Sequence, residues 1–288
     1  MVAQSERTSV GVRVVQLVLL INAVPAFCVL TAAPGRTADL FVWTVKPEAS
    51  AQLLAAMYGN AAILTLLTLV RRTWGEMRVA FVVFTLFAFA ATIVTFFHLD
   101  PFLAHPRYFF VYWLVNYFFL FLMTPFVFAS EERAHGKRLA VEEPFSPGAR
   151  VAALLAALMC LFVGAAMFVG PAFVNDLWPW AMTPLVARII GVWLTALGAA
   201  LVWALWDGDA RRTRPIFTQG LPTAILIGIV PLLHRDDLAG GVGRFIPFAL
   251  LVGTLALAGV FGVPDGTARS GPLPRRPGGP RRAGAARP

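Results

Sequence analysis

The chain has 288 residues, of which 58% are hydrophobic and only 14% charged, roughly half the charged fraction a soluble domain uses to cover its surface. That composition excludes an ordinary water-soluble globule and makes the lipid bilayer the expected partner. The net charge of +9 does not imply a nucleic-acid partner, because the basic residues sit in short loops and a tail instead of clustering on one folded face.

A hydrocarbon core about 30 Å thick takes roughly 20 helical residues to cross. Uncharged runs of about that length predict membrane helices over 14–30, 51–70, 79–97 and 108–128, then over 151–169, 189–206, 216–233 and 245–263. The expected fold class is therefore an all-α integral membrane protein with about eight transmembrane helices. The first run follows Arg7 and Arg13 and ends in Thr31, Ala32 and Ala33, the outline of a signal peptide. Its counterpart at 151–169 lies mid-chain, which argues that the first run stays in the protein. No ionisable residue interrupts any run, so proton relays and carboxylate-coupled ion pumping are not expected. Cys28 and Cys160 both fall within apolar runs, where packing is the expected role and neither a disulfide nor a thiolate metal site is.

Lysine and arginine set the expected orientation, since cytoplasmic loops retain positive charge. Eighteen of the 24 lie on the side that holds both termini, and six on the other: Arg36, Lys46, Arg107, Arg188, Arg235 and Arg244. Both termini are accordingly expected in the cytoplasm of a protein of the cell membrane. Trp43, Tyr108, Trp113, Trp178 and Trp180 are expected at the outer lipid boundary, and Trp74 and Trp206 at the inner one.

A shift of 137 residues lays the first half on the second. Arg13 falls on Arg150, Pro34 on Pro171, Asp39 on Asp176, Trp43 on Trp180 and Pro47 on Pro184. With small gaps, Arg71, Arg72 and Thr73 fall on Arg211, Arg212 and Thr213, then His98 and Asp100 on His234 and Asp236, and Arg107 on Arg244. An even number of spans per copy makes this a parallel repeat about an axis along the membrane normal. The expected organisation is a first four-helix repeat at 1–130, a cytoplasmic linker at 131–149, a second repeat at 150–263 and a disordered basic tail at 264–288.

The polar residues at depth are amides: Gln16, Asn22, Gln52, Asn60, Asn116 and Gln219. Interhelical hydrogen bonding is their plainer role, a ligand pocket around Asn22, Asn60 and Asn116 the sharper one. Near the outer face, each copy contributes Asp, Trp and Pro (Asp39, Trp43 and Pro47; Asp176, Trp180 and Pro184), expected as a short helix lying in the interface with Trp as its anchor. Each copy also contributes His, Asp and Arg: His98, Asp100 and Arg107; His234, Asp236 and Arg244. A histidine beside a carboxylate can act as general acid and base or bind a divalent metal, and arginine can hold a phosphate. The plainer expectation is an Asp–Arg ion pair between adjacent spans, with the histidine capping a helix end; no metal site is expected, and the sequence assigns no cofactor.

Three functions follow. The leading one is a non-enzymatic bundle that binds or moves a neutral or lipid-like molecule, or supports a membrane complex with other membrane proteins, through the interface between its halves. The alternative is a membrane enzyme at the outer headgroup layer, acting on a lipid-linked or phosphorylated substrate with His98, Asp100, His234 and Asp236; under any reading the candidate ligand-binding residues are Asp39, Trp43, Arg107, Asp176, Trp180 and Arg244 with Asn22, Asn60 and Asn116. The third is a haem held between His98 and His234.

Overall fold

In a computed structural model of the chain, residues 8–136 and 140–263 are described; the first residues, the middle of the linker and the tail expected to be disordered lie outside them. Eight helices are long and apolar enough to cross a membrane: α1 Val10–Ala32, α2 Glu48–Leu69, α3 Trp74–Phe97, α4 Arg107–His135, α5 Pro147–Val169, α6 Pro184–Asp207, α7 Arg214–Leu233 and α8 Val242–Phe261. No strand occurs among the described residues. This is an all-α, multi-pass membrane protein. Lipid offers backbone N–H and C=O groups no partner, so each span satisfies them within its own helix.

The helix ends follow from local sequence. Ser146 and Thr183 accept hydrogen bonds from the backbone N–H of Ala149 (3.2 Å) and Val186 (3.4 Å), with Pro147 and Pro184 at the first helical position, where a missing N–H costs nothing. Gly208 ends α6 in the left-handed conformation at φ 77°, which a side chain would strain. Span α7 is interrupted at Gln219 and Ile229, near Pro222 and Pro231, each of which removes one intrahelical hydrogen bond.

Several spans run past their expected limits. Span α3 begins at Trp74 and takes in Glu76 and Arg78, α4 runs to His135 and takes in Glu131 and Glu132, and α6 takes in Arg188 and Asp207. These charges fall in the end turns of the helices, outside the uncharged runs themselves. The expected linker shortens too, because 131–135 is helix and α5 starts at Pro147.

Consecutive helices pack in pairs, α1 on α2, α3 on α4, α5 on α6 and α7 on α8. Spans α2 and α6 are the most deeply buried and touch each other; α3 lies on α6, and α7 lies on α2. The tightest pairing, α5 on α6, depends on small residues: a Cβ at Gly191 would meet the Gly164 carbonyl oxygen at 2.6 Å, and one at Gly198 the Ala157 carbonyl oxygen at 3.0 Å. Without a hydrophobic drive between helices in lipid, such close backbone approach supplies the association energy. The seam between α5 and α8 is closely packed, whereas α1 and α4 touch sparsely.

Around this core, α1 exposes Val14, Leu17, Ile21 and Val24, and α4 exposes Val111, Val115, Phe118 and Phe126. A contiguous apolar surface of this extent suits lipid, not water.

Candidate functional site

The bundle has two ends. The terminal end carries the start of α1, and there Arg13 donates to the carbonyl oxygens of Leu69 (2.7 Å) and Arg71 (2.6 Å) beyond the end of α2. The distal end carries the loops that hold the shared His, Asp and Trp residues.

The loops after α1 and α5 each make a short helix, Thr37–Leu40 and Pro171–Asn175, and then turn back into the bundle. The tryptophans that follow are not interfacial anchors. Trp43 and Trp180 are 1% and 0% exposed; Trp43 packs edge-on against Trp113 at 5.2 Å, and Trp180 against Phe248 at 5.6 Å. Trp113, Trp178 and Trp74 are also buried, while Tyr108 and Trp206 remain exposed. Each buried indole removes more apolar area from lipid contact than any aliphatic residue could, and its ring is held by neighbouring rings. The Trp180 Nε1–H reaches Ser50 Oγ on α2 at 3.2 Å, whereas Trp43 Nε1 has no partner.

The two histidines lie in separate surroundings. His98, just past the end of α3, accepts at Nε2 from the Arg188 guanidinium of α6 at 2.6 Å. Arginine can only donate, so the ring is neutral with its proton on Nδ1. Burial and then the Arg188 charge hold its pKa below the ordinary histidine value. His234 Nδ1 lies 4.0 Å from both Glu48 Oε2 and Asp237 Oδ2. Asp237, and not the expected Asp236, is the carboxylate in use: its Oδ2 accepts from the Ala49 N–H at the start of α2 at 2.8 Å, where the helix dipole favours an anion.

Asp100, Asp176 and Asp236 are exposed, as is Arg107. Asp39 makes only a 3.7 Å ion pair with Arg36, both 67% exposed. The expected Asp–Arg staples do not form among the described residues; Arg244 instead donates to the Asn175 carbonyl at 3.1 Å. No group of three or more His, Cys, Asp or Glu side chains is gathered there as a metal would need.

The amides are divided between structure and cavity. Gln16 donates to Thr68 Oγ1 at 3.2 Å and ties α1 to α2. Asn60 donates to Gln219 and Thr223 and so joins α2 to α7 across the halves. Asn116 keeps a buried Nδ2 without a partner. Asn22, 8% exposed, lines two adjoining spaces.

The first is a groove of about 350 Å³ along the loose α1–α4 seam, lined by Asn22, Pro25, Tyr58, Tyr108, Tyr112 and Trp113 among others. The second, deeper space holds about 40 Å³ between α1, α2, α3, α4 and α6, with Asn22, Tyr58, Asn60, Tyr117 and Trp193 in its wall. The groove falls within the volume range of small-ligand sites; the inner cavity has room for about three water-sized groups. Inside, the Tyr58 and Tyr117 hydroxyls meet at 3.3 Å, and the buried Trp193 Nε1–H has no partner.

A third space of about 340 Å³ opens at the terminal end, lined by Glu76, His135, Glu142, Arg211 and Arg212 among others. Its charged groups are already paired: Glu76 with Arg71 at 3.3 Å, Arg211 with Glu142 at 2.9 Å, Arg212 with Asp207 at 3.1 Å and His135 with Glu131 at 3.1 Å. Behind it lies a charge network that sequence reasoning missed. Arg78, only 6% exposed, stands over the Trp203 ring at 5.5 Å and next to Glu132 Oε1 at 3.9 Å. Asp209 accepts from the backbone N–H groups of Glu142, Arg211 and Arg212 and pins the linker to the α6–α7 turn. Positive residues flanking apolar runs were the only available signal.

Comparisons with protein-family models, with curated proteins and with solved structures find nothing that matches this chain.

Proposed function

We propose that the protein is a non-enzymatic membrane bundle that binds an uncharged, lipid-like molecule in the α1–α4 groove. The observation that carries this reading is the groove itself. It opens sideways where lipid lies, ends on the buried Asn22 and Tyr58, and carries no carboxylate, imidazole, ammonium or guanidinium among its lining residues. The site thus falls inside the first half and not between the halves, where Asn60, Gln219 and Thr223 are engaged with one another. His98, Asp100, His234 and Asp236 line none of the three spaces, and the two imidazoles share no neighbour, so geometry favours neither the enzyme reading nor a haem between them.

The architecture under this reading is a parallel 4+4 repeat, 1–130 and 150–263, in the cell membrane with both termini cytoplasmic. Two features support the repeat beyond the matched residues. Exchanging α1–α4 for α5–α8 maps the helix pairings onto themselves, α3 on α6 becoming α7 on α2. His98 and His234 each lie beside the first turns of the central helix of the other half. The halves would then divide the labour, the second closed along α5–α8, the first left open along the matching α1–α4 seam.

Purification in mild detergent, followed by mass spectrometry of retained lipids, tests the binding. A groove-filling Ala26→Trp variant is expected to lose the neutral lipid that the parent protein retains; unchanged lipid content in the variant refutes the site. For orientation, Asp39→Cys in a Cys28→Ser background is expected to react with an impermeant maleimide from outside intact cells, and reaction only after lysis reverses the topology.

A further inference from the structure

We infer that the ligand of this groove enters head first: an uncharged amphiphile whose single carbonyl or hydroxyl head reaches Asn22 and the Tyr58–Tyr117 hydroxyl pair, with its apolar tail leaving between α1 and α4. The inference rests on the groove being a ligand site and adds the ligand's chemistry and direction.

The polarity of the groove runs opposite to that of a bilayer leaflet. Asn22 stands ten residues in from the Ala32 end of α1, and Tyr58 ten residues in from the Glu48 end of α2. At 1.5 Å per residue both lie about 15 Å deep, near the middle of a 30 Å hydrocarbon core. The distal mouth is formed by Leu40, Phe41, Val42 and Phe109 with the rings of Tyr108 and Tyr112, and none of these residues is charged. A phospholipid in its resting orientation would set its tail against the amide and hydroxyls and its charged headgroup against a mouth without a counter-charge, a mismatch at both ends. Reversal of the ligand removes both mismatches.

The deep end is built to receive a hydrogen-bonding group. The Asn22 amide, in a residue more than nine-tenths buried, lines both spaces and lies beside the Tyr117 hydroxyl. The Trp193 Nε1–H in the same wall is buried and unpartnered. Amide N–H, indole N–H and phenol O–H are all donors, which suits an acceptor such as a carbonyl or a hydroxyl oxygen. The inner cavity of about 40 Å³ admits a head of only a few atoms. A phosphate or ammonium there would be a charge in a low-dielectric interior with no counter-charge in the wall, and such groups are excluded. A quinone ring carbonyl and a fatty alcohol both carry the required chemistry; the aromatic wall accepts a flat ring by stacking.

Photo-crosslinking on the full-length protein in nanodiscs tests this with decyl-chain probes that carry a diazirine either next to the head or at the tail end, with benzoquinone, hydroxyl, phosphate or trimethylammonium heads. Head-diazirine adducts of the uncharged probes are expected on the segments around Asn22 and Tyr58, and tail-diazirine adducts on α4 near Tyr108 and Tyr112. The benzoquinone and hydroxyl arms separate the two sources of neutral head. Competition is expected to rank neutral above charged heads by about a hundredfold. Asn22→Leu is expected to weaken the neutral probes by about tenfold, and Tyr117→Phe, which keeps the ring, by a similar factor. Tail adducts at Asn22, or equal labelling by charged heads, overturn the head-first inference but leave the groove as a ligand site. Absence of groove adducts with every probe removes the binding reading as well.

Discussion

Arg78 on α3 and Asp207 on α6 meet at 3.0 Å, with side chains 8% and 4% exposed, and Asp207 also receives Arg212 at 3.1 Å. The pair joins one four-helix half to the other at the terminal end, and each charge is neutralised by a residue far away in sequence. Removal of Arg78 leaves Asp207 with Arg212 as its remaining counter-charge, so the cost is expected below the roughly 3–5 kcal/mol of a wholly uncompensated buried charge. Arg78→Ala is therefore expected to lower the thermal midpoint in detergent. The double variant Arg78→Met with Asp207→Leu is expected to recover much of the loss; a double variant as unstable as the single one contradicts a compensated pair.

His98 gives the distal end a pH dependence. Its folded pKa lies below the ordinary 6.5, from burial first and the Arg188 charge second, so the unfolded chain binds more protons than the folded one as pH falls below 6.5. Its contribution to stability is complete above pH 6.5 and is lost progressively below it. Thermal unfolding from pH 8 to pH 5 is expected to show this loss. His98→Gln retains an acceptor for Arg188 and should flatten the profile in that window.

At the terminal end the window lies lower. Burial raises the Asp209 pKa, but hydrogen bonds from the Arg212 and Glu142 N–H groups, the Arg212 charge and the Glu143 N–H outweigh it, and the net shift is below 3.8. A depressed carboxylate stabilises the fold above its unfolded pKa and loses that contribution as pH falls through the folded value. Asp209→Asn should thus be less stable than the parent protein at pH 7, with the difference narrowing as pH falls below 3.8, as measured by midpoints across that range.

The α5–α6 contact predicts a steric cost. A Cβ at Gly191 would come within 2.6 Å of the Gly164 carbonyl oxygen and 3.0 Å of the Phe168 backbone nitrogen, and backbone cannot swing aside as a side-chain tip can. Gly191→Val is expected to destabilise by roughly 1–3 kcal/mol or more, visible as reduced yield of monodisperse protein. Gly253→Val on α8, where a Cβ meets nothing within 4 Å, is the matched control and should be neutral.

How much of this was legible in the sequence differs from residue to residue. The eight spans were, because apolar runs of about 20 residues report directly on the solvent they face. Their ends were less so. Arg78 was read as loop because its compensating Asp207 and Glu132 come from other helices, and a run read by itself carries no record of them. Trp43 and Trp180 were singled out by the 137-residue shift but expected at the lipid boundary, since hydropathy cannot tell an indole that meets headgroups from one folded back onto Trp113 or Phe248. Asn22 and Asn60 looked alike in sequence; a partner on α7 makes one a tie between helices, and the loose α1–α4 seam makes the other the floor of a groove.

Composition and apolar run length alone determined that this chain lives in lipid as eight helices, because the backbone must satisfy its own polar groups there. Only the tertiary structure decided which helices lie side by side, that the α5–α8 seam closes while the α1–α4 seam stays open, and that charges near the helix ends are buried in pairs. Those outcomes depend on side chains that meet across long stretches of chain, and a linear pattern does not record such meetings.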